Sequence, residues 1–82
     1  MELKYIRHSA IGFVLWAKTD ALWHRNMGEL ILEKCGGEII SAGFARLANG
    51  RARCWGKSES LGIESAPGDS EALALQLKLT WI

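Results

Sequence analysis

The sequence predicts a small α+β domain: an antiparallel sheet with two helices on one side, in the order ββαββα. Three observations lead there. Residues 39–63 form two alternating runs around Asn49-Gly50, the strongest short-range hairpin signal, because both central residues of a type I′ turn need positive φ. Residues 3–17 hold two apolar runs too short for helices. Thr19-Asp20 and Gly36-Gly37 then bracket a segment of helical periodicity, with a capping residue before it and glycines after it.

Taken in order, residues 3–8 read as an edge strand and residues 11–17 as a central one, apolar on both faces. A helix is expected over 21–35, with Trp23, Met27, Leu30 and Ile31 on the stripe that faces the sheet. Gly28 in its middle costs about 1 kcal/mol relative to Ala, so either the helix begins later or a strand approaches closely there. Residues 65–69, Ser-Ala-Pro-Gly-Asp, break the chain. Leu73, Leu75, Leu77 and Leu79 alternate like a strand, but the Ala, Leu, Gln and Lys content favours helix. Asp69-Ser70-Glu71 is a helix start, so a helix is predicted over 69–78.

The two-residue turn fixes the hairpin register. Arg46 falls opposite Arg53, Phe44 opposite Trp55 and Ala45 opposite Cys54. Side chains alternate, so one face carries Phe44, Arg46, Arg51, Arg53, Trp55 and Lys57, and the other Gly43, Ala45, Leu47, Ala52 and Cys54. The aromatic face is expected to be core, because Leu61 and Ile63 continue its alternation, with the arginines reaching past the helices into solvent. In the alternative, the small face packs under a helix and the aromatic-plus-arginine face is an open platform. Directly opposed arginines work against a hairpin by roughly 0.2–1 kcal/mol. Either arrangement leaves a basic hairpin tip.

Eighty-two residues make one domain, 1–82. With about half of them hydrophobic and a net charge of +1, the chain is not of disordered composition. Four tryptophans are too many for so small a core, so at least one is expected to be part-exposed or at an interface. Cys35 and Cys54 show no ligand spacing and are expected to be reduced thiols. The apolar run at 10–17 has no cleavage site after it and no segment reaches membrane-span length, so a cytoplasmic location is expected. The small net charge hides a segregation. Residues 46–57 contain Arg46, Arg51, Arg53 and Lys57 without an acid, and residues 59–71 contain Glu59, Glu64, Asp69 and Glu71 without a base.

Catalytic and metal chemistry find little footing. Gly56-Lys57-Ser58 has the end of a phosphate loop, but Arg51 stands where that motif needs glycine, and Lys57 is placed in a strand rather than before a helix. His8, His24, Cys35 and Cys54 lack the spacing of a metal site, and no nucleophile has a base and an orienting acid marked for it. No enzyme, cofactor or metal is therefore expected. Non-enzymatic protein–protein binding through Phe44, Arg46, Arg51, Arg53, Trp55 and Lys57 is the leading reading, since aromatic and Arg anchors build interfaces. The alternative is a nucleic-acid-binding domain using the same sheet face. A second copy of the chain is a further allowed partner; a membrane is not expected.

The stretches Ser41-Ala42-Gly43-Phe44, Cys54-Trp55-Gly56-Lys57-Ser58 and Pro67-Gly68-Asp69-Ser70 give the chain a general character that resembles the small orphan proteins of bacteriophages and prophages, of the anti-defence type. The resemblance implies an inhibitor that blocks a host defence protein. Being near-neutral, the chain departs from the acidic nucleic-acid mimics common in that group, and steric blocking is the implied mechanism. No functional residue carries over from it.

Overall fold

The computed structural model describes residues 2–81, with the backbone alone for 80 and 81. The chain forms β1 (Glu2–His8), β2 (Gly12–Ala17), α1 (His24–Cys35), β3 (Ile39–Ala48), β4 (Arg51–Trp55), β5 (Lys57–Ser58), β6 (Ile63–Glu64), α2 (Asp69–Leu77) and β7 (Thr80–Trp81). The main sheet has the order β2-β1-β3-β4-β7, antiparallel except for the parallel β4–β7 pair, and β5 pairs with β6 in a small separate ribbon. The α+β class is as expected; the extra ribbon and β7 lengthen the order beyond ββαββα. The first two strands exchange their expected roles, β1 being central and β2 the edge.

The helices lie on opposite faces of the sheet, not on one side as expected. Leu3 and Tyr5 of β1, Phe13 of β2, Ala45 of β3 and Ala52 of β4 share one buried cluster with Leu73 and Ala74 of α2. Ile6, Trp16 and Ala42 form the other cluster, beneath Ile31 of α1. The reason lies in the small face of the β3–β4 hairpin. A Cβ on Gly43 would stand 2.5 Å from the Trp55 carbonyl oxygen, and Ala45 and Ala52 present only methyl groups, so this face is flat enough for a helix to rest on.

One buried carboxylate locks α2 to that face. Asp69, in the first helical turn, accepts hydrogen bonds from Tyr5 Oη (2.6 Å), Arg7 Nη1 (3.1 Å) and the Ala66 amide (2.9 Å). Burial alone would raise its pKa, but the bonds from Ala66, Tyr5 and Arg7 outweigh it and hold the group below the usual aspartate value. Burial and the adjacent Asp69 charge push the Tyr5 phenol up, so it stays a donor.

Helix α1 begins later than expected. Asp20 Oδ1 accepts from the Leu22 amide, Lys4 Nζ donates to the carbonyls of Asp20 and Leu22, and Trp16 Nε1 donates to Leu22 O. These bonds hold residues 20–22 in a turn, leaving Trp23 at the cap with its amide on Asn26 Oδ1. Trp23 and Leu30 are 63% and 44% exposed, so half of the expected sheet-facing stripe points outward; Ile31 is buried and Met27 half-buried. Gly28 does admit a close approach, with Ile39 Cδ1 and Leu61 Cδ2 packed against it.

Asp69→Asn keeps the shape and removes the charge that Arg7 and Tyr5 address. It is expected to destabilise by about 1.5–3 kcal/mol at pH 7, the worth of hydrogen bonds to a charged group. Because the native pKa is lowered, the carboxylate's contribution is complete above about pH 4 and is lost as pH falls further. Urea midpoints of the two proteins, well separated at pH 7, should converge as the pH falls below about 4. Gly43→Ala should cost about 1–3 kcal/mol by pushing against the Trp55 carbonyl, read in the same titration.

Candidate functional site

The β3–β4 register is the one the turn dictates, with Phe44↔Trp55, Ala45↔Cys54, Arg46↔Arg53, Leu47↔Ala52 and Ala48↔Arg51. Asn49 and Gly50 both have positive φ, 53° and 71°. The ladder ends at Trp55, after which Gly56, at φ 80°, redirects the chain. Leu61 and Ile63 therefore reach the cluster beneath α1 through the β5–β6 ribbon, not as a continuation of β4. Lys57 is in β5, so Gly56-Lys57-Ser58 leads into a turn and not into a helix.

Helix α1 has 12 residues and is about 18 Å long at 1.5 Å per residue. It covers β1 and the start of β3, and the second half of β3 with β4 stays open on that face. Phe44 and Trp55 are accordingly half-buried at the margin of the core, neither in its centre as first expected nor free of it. Their rings lie 6.5 Å apart at 36°. The His24 ring meets Phe44 edge-on at 5.5 Å and Trp16 at 5.3 Å. His24 Nε2 donates to Gly43 O at 2.7 Å, and burial, aided by the charge of Lys4, lowers its pKa and favours the neutral ring.

Around this aromatic floor the fold gathers cations from distant parts of the chain. Lys4 pairs opposite Phe44 across β1–β3, and Lys18 Nζ lies 5.0 Å above the Phe44 ring. Arg46, Arg51 and Arg53 are exposed on the same face, and none makes a salt bridge among the described residues. Lys57 is held only loosely by Glu59, at 3.8 Å, and Lys18 shares Glu2 Oε1 at 3.1 Å. The surface is not flat. A groove of about 620 Å³ opens between Trp23, His24 and Phe44, rimmed by Lys4 and Lys57. A second, of about 480 Å³, lies among Arg46, Arg51 and Arg53.

All six residues singled out from the sequence thus share one side of the molecule, but they are not the whole of the site. Trp23, His24, Lys4 and Lys18 were missed. Trp23 carried a signal, since four tryptophans exceed what the core can hold, but nothing local places Lys4 or Lys18 beside Phe44. Elsewhere, Cys54 is part-buried, and burial with the Asp69 charge pushes its thiol up to about 12, so it is protonated at neutral pH. Among the described residues no group of three His, Cys, Asp or Glu is placed to hold a metal ion, and no helix is long and apolar enough to cross a membrane.

No family model, curated protein or solved structure matches this chain.

The facing arginines predict a conflict between stability and use. Arg53→Thr removes the like-charge pair and puts a good strand former opposite Arg46, so it should stabilise by roughly 0.2–1 kcal/mol. The gain should shrink as salt is added, because exposed charges are screened. Thermal melts of both proteins at low and high salt would check it, and equal gains at both would refute a charge origin.

Proposed function

We propose that the chain is a non-enzymatic binding module and that the open half of its sheet holds single-stranded nucleic acid. The observation carrying this reading is the company that Phe44 and Trp55 keep. They are half-buried ring surfaces on a sheet, surrounded by Lys4, Lys18, Arg46, Arg51, Arg53 and Lys57, with the three arginines in no salt bridge among the described residues. Unpaired bases stack on such rings and the backbone follows such cations. Arg46 and Arg53, a pair that disfavours the free hairpin, become favourable on either side of a phosphate.

A protein partner with an acidic surface is the second reading, favoured by the overall charge of only +1. It would act sterically, by covering its partner, as the likeness to phage anti-defence proteins suggests.

Binding of a labelled, unstructured oligonucleotide across a salt series separates the two. On the nucleic-acid reading, affinity falls log-linearly with salt, with a slope of about −2 to −3 if Arg46, Arg51, Arg53 and Lys57 neutralise three or four phosphates at ~0.7 each. An Arg46/Arg51/Arg53 triple alanine variant should lose most of that slope while keeping its circular dichroism. Absence of binding at low salt would discard the nucleic-acid reading and leave the protein one.

A further inference from the structure

We infer that the groove between Trp23 and Phe44 is a pocket for one unpaired base of the strand, a site distinct from the arginine hairpin and resting on the nucleic-acid reading above. Its walls are rings. Trp23 stands 63% exposed at the start of α1, where its side chain caps nothing: the cap bond runs from its backbone amide to Asn26. A large exposed ring with no structural task, at the mouth of a groove of about 620 Å³, is placed for stacking. The floor is Phe44, held edge-on by a His24 ring that is itself fixed by Gly43 O. The floor is therefore preorganised, and binding need not order it.

The polar groups of the groove suit the edge of a base. Glu59 and Ser60 lie in the wall with Lys4 and Lys57 at the rim, so the polar edge of a base would meet both donors and acceptors. Lys4 Nζ is committed to the carbonyls of Asp20 and Leu22, which fixes the loop leading to Trp23. Lys57, 57% exposed and weakly paired, stands at the rim where a phosphate following the base would lie. Lys18, over the Phe44 ring and paired with Glu2, marks that ring face as one that accepts a group stacked or charged against it. From this rim the strand runs along β3–β4 past Trp55 to the arginines, so base pocket and phosphate track form one path.

The test uses two probes of equal length, an oligothymidylate and the corresponding abasic strand, whose phosphates are the same. The intact protein should prefer the strand with bases by about five- to twentyfold, the lower part of the range for stacking on one aromatic side chain. Trp23→Ala should lower that ratio several-fold, leaving only the stacking on Phe44 and Trp55, without changing affinity for the abasic strand, and Trp23→Phe should restore most of it. Circular dichroism should be unchanged in both variants. An unchanged ratio in Trp23→Ala, or equal losses for both probes, would overturn the base pocket while leaving the strand-binding face in place. Failure of the intact protein to bind either strand, or tighter binding of polyglutamate than of both, would overturn the parent reading and the pocket together.

Discussion

The architecture depends on how a single charge is buried. Asp69 is almost completely enclosed, which is costly unless every lone pair is used. Here the carboxylate takes bonds from the phenol of Tyr5, the guanidinium of Arg7 and the amide of Ala66, and it lies at the positive end of α2. The bond to Tyr5 spans 64 residues of sequence and ties the C-terminal helix to the central strand of the sheet. Where α2 sits, which face it covers and how closely it approaches all follow from that attachment and from the small residues Gly43, Ala45 and Ala52 beneath it.

With α2 fixed to one face, only α1 is left to cover the other. Its 12 residues cannot cover a face whose strands β3 and β4 extend beyond it. The loop before it is pinned by Lys4, Trp16 and Asp20, which shortens the helix further. The remainder of that face must be stable in water yet still close the core at its margin. Phe44 and Trp55 meet that demand, each burying one side of a ring and offering the other outward, with the buried His24 ring set against Phe44 from within. The candidate surface is thus a consequence of unequal helix cover, and the arginines stand where no helix needs to pack.

What could be read in advance was what local chemistry determines. Asn49-Gly50 set the hairpin register pair by pair, Gly36-Gly37 ended α1, and Pro67-Gly68-Asp69 began α2. What could not be read depends on contacts far apart in sequence. The alternation of β3 and β4 has two faces, and nothing in the hairpin says which helix takes which; that is decided by Tyr5 finding Asp69. Trp23 falls on the same helical stripe as Met27, but the turn at 20–22 moves the helix start and leaves the ring outside. Lys4 and Lys18 join the site only through the β1–β3 and β1–β2 pairings, so a third of the cationic surface was invisible before the sheet order was known.

The sheet also resolves the tension between a near-neutral chain and the anion-binding face proposed for it. A bound phosphate responds to charges within about 8 Å at physiological salt, the screening length there. The acids Asp69 and Glu71 belong to α2, which lies on the far side of the sheet, and packed layers are separated by about 10 Å. Asp69 is in addition neutralised where it sits by Arg7. On the near side, Glu2 and Glu59 are each engaged with a lysine, and Arg46, Arg51 and Arg53 make no salt bridge among the described residues. Arg46, Arg51 and Arg53 therefore form a positive patch although the total is +1. On the proposed nucleic-acid reading, the chain is expected to hold a strand it has met but to attract it only weakly from a distance, since long-range steering reads the whole charge and retention reads the face.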